Sequence, residues 1–463
     1  MWRSKIILFW LLAAVLITSL AACGGGDQTL EETSQSSVNI ITATPRNTAI
    51  PTVTPTPQVP ELEVDALQGL ELNFWYIWDP TLPDTLQVMV RRFNAENQYG
   101  IQVTARQFPH PADFATAMQE AVATRQPPHV ALANPYEYNA WREVEALVNM
   151  APYLESPVYG LEVEELEQVY PVFLARDLDQ TERYGFPGLL SARVLLYNLS
   201  WAQELGYPSP PKSATGFTQQ VCAAHVANGD RTGGWMIDTS PASAAAWLLA
   251  FAGDLESGSR YAFDSEDVEA AFTFLSDLQT QGCAWQPSSA YPDQAFVDRL
   301  GLVYPVGTRE IVYVEEAFAQ SENTDQWTAV AYPNDLGESH VSVYGSSYVM
   351  FQSTLEEQIA AWLFIREMTS DQNQTLLAET QSFLPLSRNV SAQLQADGSL
   401  PDAWLDALDL LEQGVYEPRF ASWRVVRGVV QDAVAEVMDE RFVPGTMSLF
   451  LKQLQELVAD LHQ

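Results

Sequence analysis

Leu72-Asn73-Phe74-Trp75-Tyr76-Ile77-Trp78-Asp79 is a short apolar and aromatic run that follows a polar, threonine- and proline-rich stretch. Pro80 and Pro83 close it, and Leu86, Met89, Val90 and Phe93 then recur at helical spacing. The pattern predicts a buried strand feeding an amphipathic helix. A second strand is expected from Ile101 to Phe108, a helix carrying Phe114, Met118, Ala121 and Val122 after it, and a third strand from His129 to Ala133. Strand, helix, strand, helix, strand is the signature of an α/β protein with a parallel sheet. Ligands of such sheets gather at the carboxyl ends of the strands. That rule puts Trp78 and Asp79 on the floor of a ligand cleft.

The 463 residues exceed what one core usually supports, so two domains or lobes are expected. Hydrophobic residues at 47% against charged ones at 18% suit a globular protein with a sizeable core. A formal net charge of -36 argues against a nucleic-acid partner, whose phosphates need a basic surface, and against lying flat on anionic lipid. It serves solubility, or attracts a cationic ligand.

The first segment reads as an address. Arg3 and Lys5 precede an apolar run from Ile6 to Ile17, too short for a membrane span and shaped like a secretory signal, so residues 1–22 are expected to be removed. Leu20-Ala21-Ala22-Cys23 resembles the bacterial lipobox, which makes Cys23 a lipidated N-terminus and places the protein on the outer face of the bacterial cell membrane. Residues 23–67 are rich in Thr, Ser, Gln and Pro and read as a disordered tether, the only link to the membrane. Beyond Cys23 the chain has Cys222 and Cys283. Export permits them to pair, closing a loop of roughly 60 residues; the alternative is two separate buried thiols.

Further along, Asn134-Pro135-Tyr136 ends the third strand and faces the same edge as Trp78. A helix is expected from Ala140 to Tyr153, on the stripe Trp141, Val144, Leu147 and Val148. Several motifs now fall in a telling order: Arg92-Phe93-Asn94 at the end of the first helix, Gly185-Phe186-Pro187, Leu196-Tyr197-Asn198, a proline-rich loop at Tyr207–Pro211, Ala360–Ile365, and Phe383-Leu384-Pro385-Leu386. Behind a lipobox and tether, this order resembles the extracellular solute-binding proteins of ABC importers, in the branch similar to maltose-binding protein. The resemblance covers the chain from about residue 70 to its end. It implies a two-lobed periplasmic-binding-protein-like fold, with three hinge crossings near Leu189–Val194, Thr328–Pro333 and Leu377–Leu386. Lobe one would be 68–190 plus 331–385, and lobe two 191–330 plus 386–463. It also implies a monomer that captures a small solute, a sugar or oligosaccharide, for ABC permease subunits, and that is not an enzyme.

Sugars present apolar C–H faces and hydroxyls, which aromatic rings and polar side chains recognise in turn. Trp78, Tyr136, Trp235, Tyr344 and Trp423 are the stacking candidates. Asp79, Asn134, Asp238, Ser240 and Arg309 are the candidates for hydroxyl contact. Arg309 departs from the apolar or aromatic residue such binders often place there, which admits an anionic group on the ligand. There is no Gly-x-Ser-x-Gly, His-Glu-x-x-His or Walker motif. Ser209-Pro210-Pro211-Lys212 has Ser-x-x-Lys spacing but lies in a proline loop rather than at a helix start. The five histidines are scattered, so no metal and no cofactor is expected. With 59 acidic residues a facing carboxylate pair stays open, which keeps a secreted carbohydrate-active enzyme as one alternative. A sensor or adhesin on the same fold is another.

Overall fold

The structure, a computed structural model, describes residues 59–462 apart from residues 230, 290, 336 and 338. The signal sequence, Cys23 and most of the tether lie outside the described residues. Residues 59–67, read as the end of the tether, are instead packed. Val59, Leu62 and Leu67 join the first core, and Val64–Leu67 forms a helical turn. Three apolar side chains within nine residues gave this stretch enough surface to dock.

Ten strands form one curled sheet. They are β1 (Glu71–Ile77), β2 (Gln102–Phe108), β3 (Val130–Ala133), β4 (Phe186–Asn198), β5 (Gly233–Met236), β6 (Ala284–Trp285), β7 (Gly301–Gly307), β8 (Trp327–Val330), β9 (Val341–Met350) and β10 (Gly414–Tyr416). The order is β6-β5-β7-β4-β9-β3-β1-β2, with β8 also on β4 and β10 also on β9. β2, β1 and β3 are parallel, as are β6, β5 and β7, each linked through helices. This is the α/β pattern expected from the alternating runs, and it occurs twice.

The two halves share β4. Its residues Phe186–Ala192 pair with β9, whereas Arg193–Tyr197 pair with β7 and Leu195–Asn198 with β8. Side chains of a strand alternate between faces, and β4 uses this to serve three masses. On one face Leu189 enters the core of the first half, Ser191 and Arg193 are polar, and Leu195 and Tyr197 enter the core of the second half. On the other face Leu190, Ala192, Val194 and Leu196 pack into a single core that backs the junction. An apolar–polar–apolar face therefore leaves a polar seam between two halves, over a continuous apolar spine.

Two more segments run beside β4. β9 passes Leu190 at Gly345, and Leu384 N–H donates to Leu190 O from the other side at 2.9 Å. The chain passes the junction in β9 rather than at Thr328–Pro333. That stretch stays with the second half, where Asn334 Nδ2 donates to Ala250 O at 2.6 Å. The helix expected over Ala140–Tyr153 runs from Pro135 to Glu143 instead. Glu145 takes φ 56° and stops it, and Leu147 bridges to Phe351. A disulfide joins Cys222, on the helix Ala214–Ala227, to Cys283 at the start of β6.

Gly345 has φ +128°, and a Cβ there would lie 2.1 Å from Leu189 O. A Gly345→Ala variant should lose about 2–4 kcal/mol of unfolding free energy in urea; an unchanged midpoint and slope would contradict this account of the junction. Replacing Cys222 and Cys283 together by Ala and Ser should lower stability by about 4 kcal/mol on the chain-entropy view of a loop this long. Dithiothreitol should then have no further effect on the variant.

Candidate ligand-binding site

The polar seam is built around Arg193. It lies in the middle of β4, is 9% exposed, and pairs in register with Gly307, the last residue of β7. A charge this deep requires partners. Arg193 Nη2 is ion-paired with Asp238 Oδ2 and donates to Ser243 Oγ at 2.6 Å, and its Nε donates to the same Oγ at 3.1 Å. Burial opposes the guanidinium's charge, but Tyr332, Tyr344, Asp238 and Glu310 more than offset it and hold Arg193 above the ordinary arginine range.

Asp238 is fixed from below by its own loop. Ser240 N–H donates to Oδ1 at 2.8 Å, and Ser240 Oγ and Ser243 Oγ donate to Oδ2 at 3.0 and 2.5 Å. Ser240 also caps the helix Pro241–Ala252, so the helix start positions both residues.

Glu310 follows β7 across a short 3-10 turn, Thr308–Glu310. A Cβ on Gly307 would stand 2.1 Å from Glu310 Oε2 and 2.5 Å from Tyr344 OH. Only glycine lets these two side chains close over the strand end. Ser191 Oγ donates to Tyr344 OH at 3.2 Å and lies 3.0 Å from Thr308 Oγ1. Burial, and then the charge of Glu310, raise the Tyr344 hydroxyl above the usual tyrosine range. Glu310 Oε2 is buried, accepts no hydrogen bond, and sits 3.8 Å from Arg193 Nη1. A carboxylate oxygen so placed lacks a donor.

Two further groups flank this centre. At the carboxyl end of β3, Asn134 caps the helix Pro135–Glu143, and its N–H and Nδ2 donate to Glu137 Oε2 at 2.9 and 2.8 Å. Tyr136 OH accepts from Arg427 Nη1 at 3.4 Å. Burial, with the nearby Glu137 charge, pushes that hydroxyl up to about 12. At the end of β1, Asp79 is exposed and accepts from Thr81 N–H and Oγ1 at 2.8 and 2.7 Å. Those bonds lower its pKa, and the charge of Arg309 adds to the effect. Arg309 donates to Gln381 O at 3.0 Å and lies 4.1 Å from the centre of the Phe383 ring.

The structure thus brings Asp79, Asn134, Tyr136, Asp238, Ser240 and Arg309 at strand ends, and Tyr344 within β9, around one seam. It does not bring the tryptophans there. Trp235 has no exposed surface and packs against Trp247 at 5.2 Å between ring centres. Trp423 is equally buried and donates from Nε1 to Glu417 Oε2 at 2.8 Å. Trp78 is 5% exposed and stands behind Phe383, at 6.2 Å between rings. All three are core residues, and none offers a ring face to a ligand. In their place stand residues the sequence reading passed over: Arg193, Glu310, Glu417 and Arg427. Arg193 had a signal, a lone charge in the apolar run Leu189–Tyr197. A larger surface cavity, about 640 Å³, is lined by Phe93, Tyr99, Arg366 and Glu367. It lies on the flank of the first half and holds none of the strand-end residues. Among the described residues no group of three or more His, Cys, Asp or Glu is placed to hold a metal ion.

Two α/β halves that share strands and leave polar groups unpaired at the seam define a two-lobed binding protein of the periplasmic type. The chain belongs to the bacterial extracellular solute-binding protein family, whose profile matches residues 88–402. No curated protein matches the sequence. Among solved structures, the sugar-binding protein MalE of Xanthomonas citri has a TM-score of 0.73 at 18% identity, over 85% of this chain and 97% of that one. The cyclic alpha-maltosyl-1,6-maltose binding protein of Arthrobacter globiformis has 0.71 at 16%, over 85% and 99%. UgpB of Mycobacterium tuberculosis, in complex with glycerophosphocholine, has 0.65 at 14%, over 84% and 98%. At these identities what is shared is the fold.

Replacing Arg193 by Met should destabilise the protein by about 3 kcal/mol, because Asp238 is left without its counter-ion. Adding Asp238→Asn should recover part of that loss in a double-mutant cycle. A fully additive cycle in urea denaturation would show that the pair is not coupled.

Proposed function

We propose that the protein is the capture component of an ABC importer: a monomeric lipoprotein that closes on a sugar or oligosaccharide and hands it to a permease. The observation that carries this reading is Glu310 Oε2, a buried acceptor without a donor, set between Arg193 and Tyr344 at the carboxyl end of β7. A ligand hydroxyl supplies the missing hydrogen, and Asp238, Ser240, Asp79 and Asn134 offer further polar contacts around it. The sugar-binding relatives of the same fold support the ligand class.

The division into two lobes, with its middle change of lobe in β9 in place of 330–331, belongs to this proposal, as do closure about the three segments at Leu190 and lipidation at Cys23. The protein would stand tethered on the outer face of the membrane.

Calorimetric titration with neutral and acidic mono- and disaccharides tests the reading. At least one sugar is expected to bind in the micromolar range or tighter. Glu310→Gln should weaken it about tenfold or more. Trp235→Phe should lower the melting temperature yet leave affinity within about twofold, since a core ring touches no ligand. Failure of every sugar to bind, or loss of affinity in Trp235→Phe alone, contradicts the site as drawn.

A further inference from the structure

Beside Tyr344 the seam contains a small cavity of about 30 Å³. Its wall includes Arg176, Arg427, Glu417, Tyr136, Tyr344 and Asn134, so two guanidiniums face one carboxylate. Each guanidinium keeps one nitrogen without a hydrogen bond. Arg427 reaches Tyr136 OH and Glu417 Oε1 only at 3.4 Å each, near the limit of a useful hydrogen bond, and its Nε is buried without a partner.

Arg176 is 2% exposed; its Nη1 donates to Gly345 O at 3.2 Å and its Nη2 to Ser347 Oγ, while its Nε is buried without a hydrogen bond. Asp177, its nearest counter-ion, stands 3.5 Å away and is already occupied on both oxygens. Tyr138 OH donates to Oδ1 at 2.7 Å and Ser347 Oγ to Oδ2 at 2.6 Å. Glu417 is 7% exposed and engaged with Trp423 Nε1 at 2.8 Å. Neither carboxylate satisfies the arginine beside it. The two arginines that line the cavity each keep a buried nitrogen without a hydrogen bond, and an unfilled donor on a buried cation is costly unless something fills it.

We propose that this cavity is an anion subsite, and that the solute is an acidic sugar whose carboxylate enters between Arg427 and Arg176 while its hydroxyls reach Glu310. The inference rests on the sugar-binding reading above and narrows it. A carboxylate matches a guanidinium in shape and charge. The space is about that of one water molecule, which suits a carboxylate better than a bulkier phosphate. Glu417 tempers the site: its charge lies beside Arg427 and weakens the pull on an anion.

The test titrates wild type, Arg427→Gln and Glu417→Gln with glucuronate and galacturonate, their disaccharides, the neutral counterparts of each, and glucose 6-phosphate. In wild type at least one acidic sugar should bind about tenfold or more tightly than its neutral counterpart. Arg427→Gln should abolish that preference, weakening acidic sugars about tenfold more than their neutral counterparts. Glu417→Gln, which still accepts from Trp423, should strengthen acidic sugars several-fold relative to neutral ones. Circular dichroism and melting curves confirm that each variant is folded. Equal or tighter binding of the neutral sugars, or equal losses for both classes in Arg427→Gln, overturns the anion subsite and leaves the sugar reading standing. Tighter binding of the sugar phosphate than of any uronate overturns the carboxylate assignment. Binding of no sugar at all overturns both readings.

Discussion

A buried cation at the middle of the shared strand organises this molecule. Arg193 sits in the middle of the strand that both halves share, and leaving its charge unpaired there would cost several kcal/mol. The loop after β5 supplies Asp238, and the turn after β7 supplies Glu310. Both pieces are thereby held at the junction of the halves. A leucine at position 193 would continue the apolar face of β4 and weld the halves together. The arginine keeps them apart and furnishes the gap with polar groups.

The rest of the architecture follows from the length and alternation of β4. A strand of 13 residues spans about 43 Å, enough to serve as an inner strand of both halves. Its even-numbered face, Leu190 to Leu196, lies in one uninterrupted core, so the spine stays packed whatever the seam does. Polar side chains that the protein itself leaves short of partners then border that seam: Glu310 on one side, Arg427 and Arg176 on the other. Local rules of polar satisfaction are broken where a ligand is expected to complete them.

Much of the fold was legible because periodicity reports burial directly. β1, β2, β3 and the helices between them follow from the alternation around Trp75 and the 3.6-residue spacing after Pro83. The wrong helix at Ala140–Tyr153 has a clear cause. Trp141, Val144 and Leu147 have helical spacing, but Asn134 and Pro135 start the helix earlier and Glu145 ends it in a left-handed conformation. The site was half legible. Strand-end position pointed to Asp79, Asn134, Tyr136 and Asp238, which the fold gathers at the seam, because loops at strand ends carry exposed side chains. Aromatic identity misled, since a tryptophan in a strand buried on both faces reads the same whether it is core or wall. Trp235 is core for that reason, and Trp423 is core because it lies on the buried stripe of the helix Trp423–Val437. Glu310 and Arg427 could not be singled out among so many charges until the fold placed them.

The most direct measurement is a crystal structure of the folded domain with a sugar bound. The account predicts ligand density at the seam, with a hydroxyl about 3 Å or less from Glu310 Oε2 and the sugar in contact with Tyr344 and Tyr136. Density in the cavity beside Phe93 and Arg366, or Glu310 Oε2 bonded to a protein donor in the liganded form, would contradict it.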